Sequence, residues 1–288
     1  MELSSYLERI RSSFPGVDLS DAEFVGEGMQ FAVVIAQGWV FRFARGEWGV
    51  ASLKQEARVL EAVRDRTALQ IPRFEHLEPD FCAYRFVPGE ALSFQRWQRL
   101  TERDQAETMQ QLGAFMRALH TTPTDGLDLG PSAAARTRDD WTRFYHDLER
   151  ELFPKLLRFQ REWVKALFAP VLEGRLSFSH APVLVDGDIS VYHLLFDPAT
   201  QRLTGKIDFG IAGLGDPAVD LACVLSNYGE RAAKRVLEAY PEATVFLERA
   251  RFWAGTLELQ WAYYGARRDP EELLFAHLGT ARDLRLPT

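Results

Sequence analysis

The order of apolar and polar positions along the chain predicts two unequal halves. Residues 2–13 carry an amphipathic helical pattern that Pro15-Gly16 ends. From Glu23 the period changes to that of strands. Phe24-Val25-Gly26-Glu27-Gly28 leads into Phe31–Ala36, Gln37-Gly38 turns the chain, and Trp39–Phe43 returns it as a hairpin. Leu53, Ala57, Leu60 and Val63 recur at helical spacing and predict a helix over 50–64. Ile71-Pro72 and Phe81–Val87 read as two further strands, the second stopped by Pro88-Gly89. Beyond about residue 101 the pattern is mainly helical, over 102–121 and then 138–170 with a break near Pro154. A strand-rich insert at 183–211 (Val183–Val185, Leu194–Phe196, Leu203–Ile207) interrupts it before helices resume. A small antiparallel sheet with one helix, followed by a larger helical portion with a short β insert, is an α+β plan in two lobes. The expected hinge is Val87-Pro88-Gly89, dividing the chain into 1–87 and 88–288.

Composition narrows the partners. With 47% hydrophobic residues in 288, the chain can bury a sizeable core. Its 41 acids against 34 Lys and Arg give a net charge of −7, which argues against nucleic acid or an anionic membrane as the main partner. Cys82 and Cys223 lie far apart in no metal-like spacing and read as buried reduced thiols. His76, His146, His180 and His277 show no zinc-ligand spacing either. There is no basic segment followed by an apolar run at the N-terminus and no apolar stretch long enough to span a bilayer, so a cytoplasmic protein is expected.

The chemistry is concentrated in Val183-Leu-Val-Asp-Gly-Asp-Ile-Ser-Val-Tyr-His-Leu-Leu-Phe-Asp197 and Lys206-Ile-Asp-Phe-Gly210. Asp188 and Asp208 flank a hairpin, with His193 five residues after the first. A hairpin brings its two ends together, so the three side chains are expected to converge. Phosphoryl transfer needs such a set: a carboxylate to orient and deprotonate an attacking hydroxyl, and ligands for a Mg²⁺ ion that bridges phosphates. Asp208 is the natural metal ligand, because a hard cation prefers carboxylate oxygen. Plainer readings stand beside these: a turn carboxylate for Asp188, a strand-end acid for Asp208 and a satisfied core histidine for His193.

Taken together, these motifs resemble the kinase-like aminoglycoside and macrolide phosphotransferases. The catalytic loop of that family usually reads His-Gly-Asp with Asn five residues after the Asp, then Ile-Asp-Phe/Trp and Gly-Asp-Pro-x-x-Asp-Leu/Phe. Here the final element is Gly215-Asp216-Pro217-Ala218-Val219-Asp220-Leu221. The resemblance covers nearly the whole chain, including the Gly26-Glu27-Gly28 turn, Arg42 in the slot of the phosphate-binding Lys, Glu56 on the next helix and the Leu112-Gly113…Leu119-His120 helix. Three departures stand out: Asp186 for the usual His, His193 for the usual Asn, and Arg42 for the usual Lys. His at position 193 is similar to the aminoglycoside 2″-phosphotransferases and the macrolide kinases. Arg at 42 keeps the charge but presents a fork in place of a point charge.

The resemblance implies a bilobal protein-kinase-like fold that binds a nucleoside triphosphate and a small-molecule acceptor, expected as a monomer. Gly26, Gly28, Arg42 and Glu56 would hold ATP or GTP together with the hinge residues Arg85 and Val87, the segment Tyr84–Val87 setting the choice between them. His193 and Asp208 would hold Mg²⁺, Asp188 would be catalytic, and Asp220 would tie the catalytic loop to the helical core. The aromatic stretch Phe252–Tyr264 would help line the acceptor pocket, or serve only as core. In it Glu258 and Trp261, three apart on one helical face, offer a carboxylate and a flat ring to an amino sugar. The expected acceptor is an aminoglycoside antibiotic. A macrolide or another metabolite alcohol, and a catalytically weak nucleotide-binding module, are the alternatives.

Overall fold

A computed structural model describes residues 3–28 and 30–268. The first lobe is a five-stranded antiparallel sheet in the order β1-β2-β3-β5-β4, from β1 (Glu23–Glu27), β2 (Phe31–Ala36), β3 (Trp39–Ala44), β4 (Phe74–Glu78) and β5 (Phe81–Arg85). Alternation along β3 decides what each face does. Trp39, Phe41 and Phe43 pack with Tyr6 and Ile10 of α1 (Leu3–Ser13), which lie four apart on one helical face. Val40 and Arg42 point the other way, toward α2 (Gly46–Val63), where Leu53 joins Val40 and Tyr84. The long apolar run of β3 is thus buried on both faces.

Ile71 and Pro72 do not form a strand, contrary to the pattern. Pro72 has no N–H to give to a ladder. The neighbouring Gln70 instead makes an isolated bridge to Gly205, its N–H donating to Thr204 O at 2.9 Å. The expected strand begins only at Phe74.

The chain crosses between lobes at Phe86–Gly89. A two-residue strand, β6 (Glu90–Ala91), then joins a three-stranded sheet in the order β6-β8-β9, with β8 (Leu194–Asp197) and β9 (Arg202–Lys206). Gly89 has φ 137 and lies so close to this sheet that a Cβ there would stand 2.4 Å from Thr204 Oγ1. Sequence periodicity could not detect β6 or β10 (Gly213–Gly215), which pairs with β7 (Val183–Val185), because each is too short to show one. A short helix, α3 (Phe94–Arg99), capped by Ser93, was also not anticipated.

The second lobe is built on α4 (Glu102–His120), α5 (Arg138–Asp147), α6 (Arg158–Leu172), α7 (Ala218–Ala239) and α8 (Leu247–Arg268). Thr101 caps α4, and Thr137 with Asp140 forms a capping box on α5. The expected break near Pro154 is present: a π turn over Leu148–Leu152 and a 3₁₀ turn over Phe153–Lys155 separate α5 from α6. α7 is kinked at Gly229, whose φ is 83. Trp141, Phe168, Phe252 and Trp253 form an edge-to-face aromatic cluster that fastens α5 and α6 to α8. Among the described residues no helix is long and apolar enough to cross a membrane.

α4 and α7 approach each other closely at Gly113. An added Cβ there would lie 2.5 Å from the Val236 carbonyl oxygen, a backbone atom that cannot swing aside. Helix propensity alone would make Gly113→Ala stabilising by about 1 kcal/mol. Overpacking of a core costs about 1–3 kcal/mol. The net effect is therefore expected to be a loss of stability, measured as a lower urea midpoint at unchanged slope; a raised midpoint would show that the helices can separate freely.

Candidate active site

The site is assembled around groups that cannot be left unpaired. Glu56 on α2 is fully buried, and Arg42 on β3 is 4% exposed. Arg42 Nη1 donates to Glu56 Oε1 at 2.7 Å, and the guanidinium lies 4.0 Å over the Phe31 ring. The same carboxylate oxygen accepts the backbone N–H of Phe209 at 3.1 Å. One turn of α2 adds two more ties to that loop. Ser52 Oγ donates to Gly210 O, and Gln55 Nε2 donates to Ala212 O at 2.7 Å. Ser52, Gln55 and Glu56 fall at i, i+3 and i+4, so one face of the helix holds the whole Asp208-Phe209-Gly210 segment.

Asp208 itself has φ 63, a conformation costly for a residue with a Cβ. Its carbonyl accepts from Lys206 Nζ at 2.6 Å, and Gly210 N–H donates to its Oδ1 at 3.1 Å. Its side chain is 40% exposed and turned to the cleft. Arg42 Nη2 lies 3.5 Å from Asp208 Oδ1. Burial alone would raise this carboxyl's pKa, but Arg42 first, then His193 and Lys206, more than offset it and hold the group below the ordinary Asp value. At neutral pH it is a carboxylate ready for a cation.

Asp188 is presented by a second buried acid. Asp220 is fully buried at the start of α7 and accepts the N–H of Asp186 at 3.0 Å and of Gly187 at 2.7 Å. His120 of α4 closes the arrangement, its Nε2 3.0 Å from Asp220 Oδ2. This is the structural role read for Asp220 in the sequence, with His120 as its partner. Gly187 has φ 79, and the Asp188 N–H then donates to Asp186 Oδ1 at 2.9 Å.

The expected convergence occurs. His193 Nδ1 is 3.4 Å from Asp188 Oδ2, and its Nε2 is 3.6 Å from Asp208 Oδ2. These side chains share one cavity of about 630 Å³ with Gly26, Gly28, Arg42 and Trp261. Next to it a mostly apolar cleft of about 230 Å³ runs between the lobes, lined by Val33, Val40, Tyr84, Val87, Leu195 and Ile207. An apolar slot ending in a cation and two carboxylates suits a flat base followed by phosphates.

Other sequence-picked residues lie elsewhere. The Arg85 side chain follows Tyr84 onto the opposite face of β5, where its guanidinium stacks 3.8 Å over Trp39 and lies 3.6 Å from Glu75. Only its backbone is near the cleft. On α8 the cavity is lined by Leu257 and Trp261, one turn apart, whereas Glu258 is half-buried and outside that lining. His277 lies outside the described residues. Sequence reading missed Trp48, at the start of α2, which lines the same cavity, and the buried Lys206. For Lys206 the local string carries no signal of burial, because its partner Asp186 is distant in the chain.

Removing the charge of Arg42 leaves Glu56 buried and uncompensated. Loss of one partner of such a pair costs about 3–5 kcal/mol. Arg42→Met should therefore lower unfolding free energy by that order, and Arg42→Lys by much less; equal urea midpoints for the two variants would refute the pairing as a source of stability.

Comparison with known proteins agrees with this fold. The profile of the APH phosphotransferase enzyme family matches residues 21–253. The chain is 28% identical to the viomycin phosphotransferase of Streptomyces vinaceus over 261 residues, covering 87% of this chain and 89% of that protein. The fold is similar to that of the GDP and kanamycin complex of APH(2″)-IIIa, with a TM-score of 0.84 and 23% identity over 94% of this chain and 95% of that one. It is also similar to macrolide 2′-phosphotransferase type I, with a TM-score of 0.73 and 22% identity over 97% of both chains. The match to the profile spans both lobes and includes Arg42, Glu56, Asp188, His193 and Asp208, and the chain accordingly belongs to the APH phosphotransferase enzyme family and is a phosphotransferase.

Proposed function

We propose that this phosphotransferase moves the γ-phosphoryl group of ATP or GTP, with Mg²⁺, to a hydroxyl of an aminoglycoside antibiotic and so confers resistance to it. The observation that carries the reading is the meeting of Asp188, His193, Asp208 and Arg42 around one cavity at the end of an apolar cleft. In this reading residues 1–87 form the nucleotide lobe and 88–288 the catalytic and acceptor lobe. The protein would act as a monomer in the cytoplasm, where nucleoside triphosphates are available.

The base would lie in the cleft against Val87 and the backbone of Arg85, with the phosphates over Gly26 and Gly28. Arg42 already gives one Nη to Glu56 and would give the other to a phosphate oxygen. His193 and Asp208 would hold the metal. Among the described residues no three His, Cys, Asp or Glu groups are arranged to hold a metal unaided. Two side-chain donors suit Mg²⁺, which keeps several waters and takes its other ligands from phosphates. When bound, the ion would neutralise charge on the transferring group. Asp188, with its exposed carboxylate, would orient the acceptor hydroxyl and take its proton.

The acceptor would lie at the open end of the cavity against Trp261, with Glu258 offering a carboxylate from the next face of α8. One feature favours a macrolide as second reading. Trp48 and Trp261 are 50% and 57% exposed and line the same cavity, a mouth suited to an apolar ring.

Three measurements test this. Kanamycin, viomycin and a macrolide are each offered with ATP and with GTP, and nucleoside diphosphate release is followed. Kanamycin-dependent release is expected; release with the macrolide or viomycin alone transfers the assignment to that acceptor, and none with any acceptor removes the reading. Asp188→Asn should lower kcat by about 10²–10⁴ while nucleotide affinity stays near wild type; more than half the activity retained would refute its role. In a Mg²⁺ titration of nucleotide binding, Asp208→Ala should shift the curve strongly and His193→Ala partially, since a carboxylate is the better hard-ion ligand. An unshifted curve for Asp208→Ala would exclude it as the metal ligand.

A further inference from the structure

Beneath the cleft, two charged side chains outside the reacting set are wholly enclosed. Asp186 and Lys206 are both fully buried, with Lys206 Nζ 2.6 Å from Asp186 Oδ2. Each partner also holds the backbone of an acid that faces the cavity. Asp186 Oδ1 accepts the Asp188 N–H at 2.9 Å, and Lys206 Nζ donates to the Asp208 carbonyl at 2.6 Å. The result is a continuous path from the backbone of Asp188, through one carboxylate and one ammonium, to the backbone of Asp208. The Lys206 ammonium also lies 4.5 Å from the centroid of the Phe209 ring, which fixes it from a third side.

We infer that the Asp186–Lys206 ion pair is a positioning device that sets the separation between the catalytic carboxylate Asp188 and the cleft carboxylate Asp208. This rests on the phosphoryl-transfer reading above. Two loops carry the reacting carboxylates, and their anchors are different: Asp220 and His120 hold the first, Glu56, Ser52 and Gln55 the second. Asp220 belongs to the second lobe and α2 to the first, so a change in lobe orientation acts on the two loops separately. The ion pair links them directly, within the second lobe. Its chemistry suits the task. Asp208 keeps a positive φ, and the ammonium bonded to its carbonyl is a strong local restraint on that peptide. Neither Asp186 nor Lys206 lines the cavity, so neither touches nucleotide or acceptor there.

A buried ion pair can serve stability alone, and the test must separate that role from positioning. Replacing both partners by uncharged groups of similar volume, Asp186→Asn with Lys206→Met, avoids leaving one charge unpaired and is the variant expected to fold. Positioning predicts that this double variant binds nucleotide without Mg²⁺ with the wild-type dissociation constant and unfolds at a similar urea midpoint, yet loses about 10–100-fold in kcat, as small misplacements of reacting groups do. A folded double variant with wild-type kcat overturns the inference. Amide hydrogen exchange in the wild-type protein provides the measurement that needs no variant. The Asp188 amide should exchange far more slowly than the amide of Tyr192, an exposed residue four positions on, and equal rates would overturn the inference as well. If the wild type transfers phosphate to no acceptor, the functional reading fails instead, and the exchange result still reports on the tie itself.

Discussion

The arrangement depends on one buried carboxylate. Glu56 has no access to water, and a charge in that position is tolerated only when it is paired and hydrogen-bonded. Its partners come from two places far apart in the chain: Arg42 on β3 and the Phe209 N–H in the loop after β9. Meeting that requirement docks α2 on the sheet of the first lobe and, through the same oxygen, docks it on the second. The cleft between the lobes is therefore held in register by an electrostatic need. Apolar packing supplies the bulk of each lobe, but it is not directional and would accept α2 at several rotations.

The same logic repeats under the second lobe. Asp220 and Asp186 are also fully buried; Asp220 accepts the backbone N–H groups of Asp186 and Gly187, and Asp186 accepts that of Asp188 and faces the Lys206 ammonium. Burial pushes the Asp186 carboxyl up from its ordinary value, Lys206 opposes this, and the neighbouring Asp220 adds to it. The two acids that face the cavity, Asp188 and Asp208, differ from these buried ones. They are 43% and 40% exposed in their side chains. The buried acids are committed to partners inside the protein, whereas the two exposed acids keep carboxylate oxygens turned to the cavity. This division separates the scaffold from the cavity-facing acids more cleanly than distance does, since Asp186 and Asp188 are only two residues apart.

That division also explains how much was legible in the sequence. The hairpin of β2 and β3, the helix α4 and the convergence of Asp188, His193 and Asp208 follow from period and from the turn between two strands, which are local properties. The extent of β4 was misplaced because Pro72 looks extended to a local pattern while its missing N–H excludes it from the ladder. β6 and β10 exist only because distant strands offer them edges, β8 and β7 respectively. Lys206 escaped notice for a related reason. Nothing in the string Gly205-Lys206-Ile207 tells that a lysine is enclosed, since its partner Asp186 lies 20 residues earlier and is itself buried. The Arg85 guanidinium and the Glu258 carboxylate illustrate the converse limit, in which the element is right and the side-chain direction is set by the packing of neighbours.

The three departures from the usual family pattern gain a common sense from the geometry. Arg42 reaches Glu56 with one Nη and comes within 3.5 Å of Asp208 with the other. A lysine would have to choose between them, because an ammonium is a point charge and not a fork. Histidine at 193 similarly spans two acids, one on each ring nitrogen, where an amide at that position would bring a single nitrogen. Asp186 with Lys206 makes the third bridge, between the backbones of the same two acids. Each departure thus places a two-ended group where it can hold two things at once. The two acids of the site are related to each other by His193 above and by the ion pair below, while Arg42 relates one of them to α2. Substitutions that look like independent erosions of a motif, taken singly along the sequence, are connected in space through Asp208.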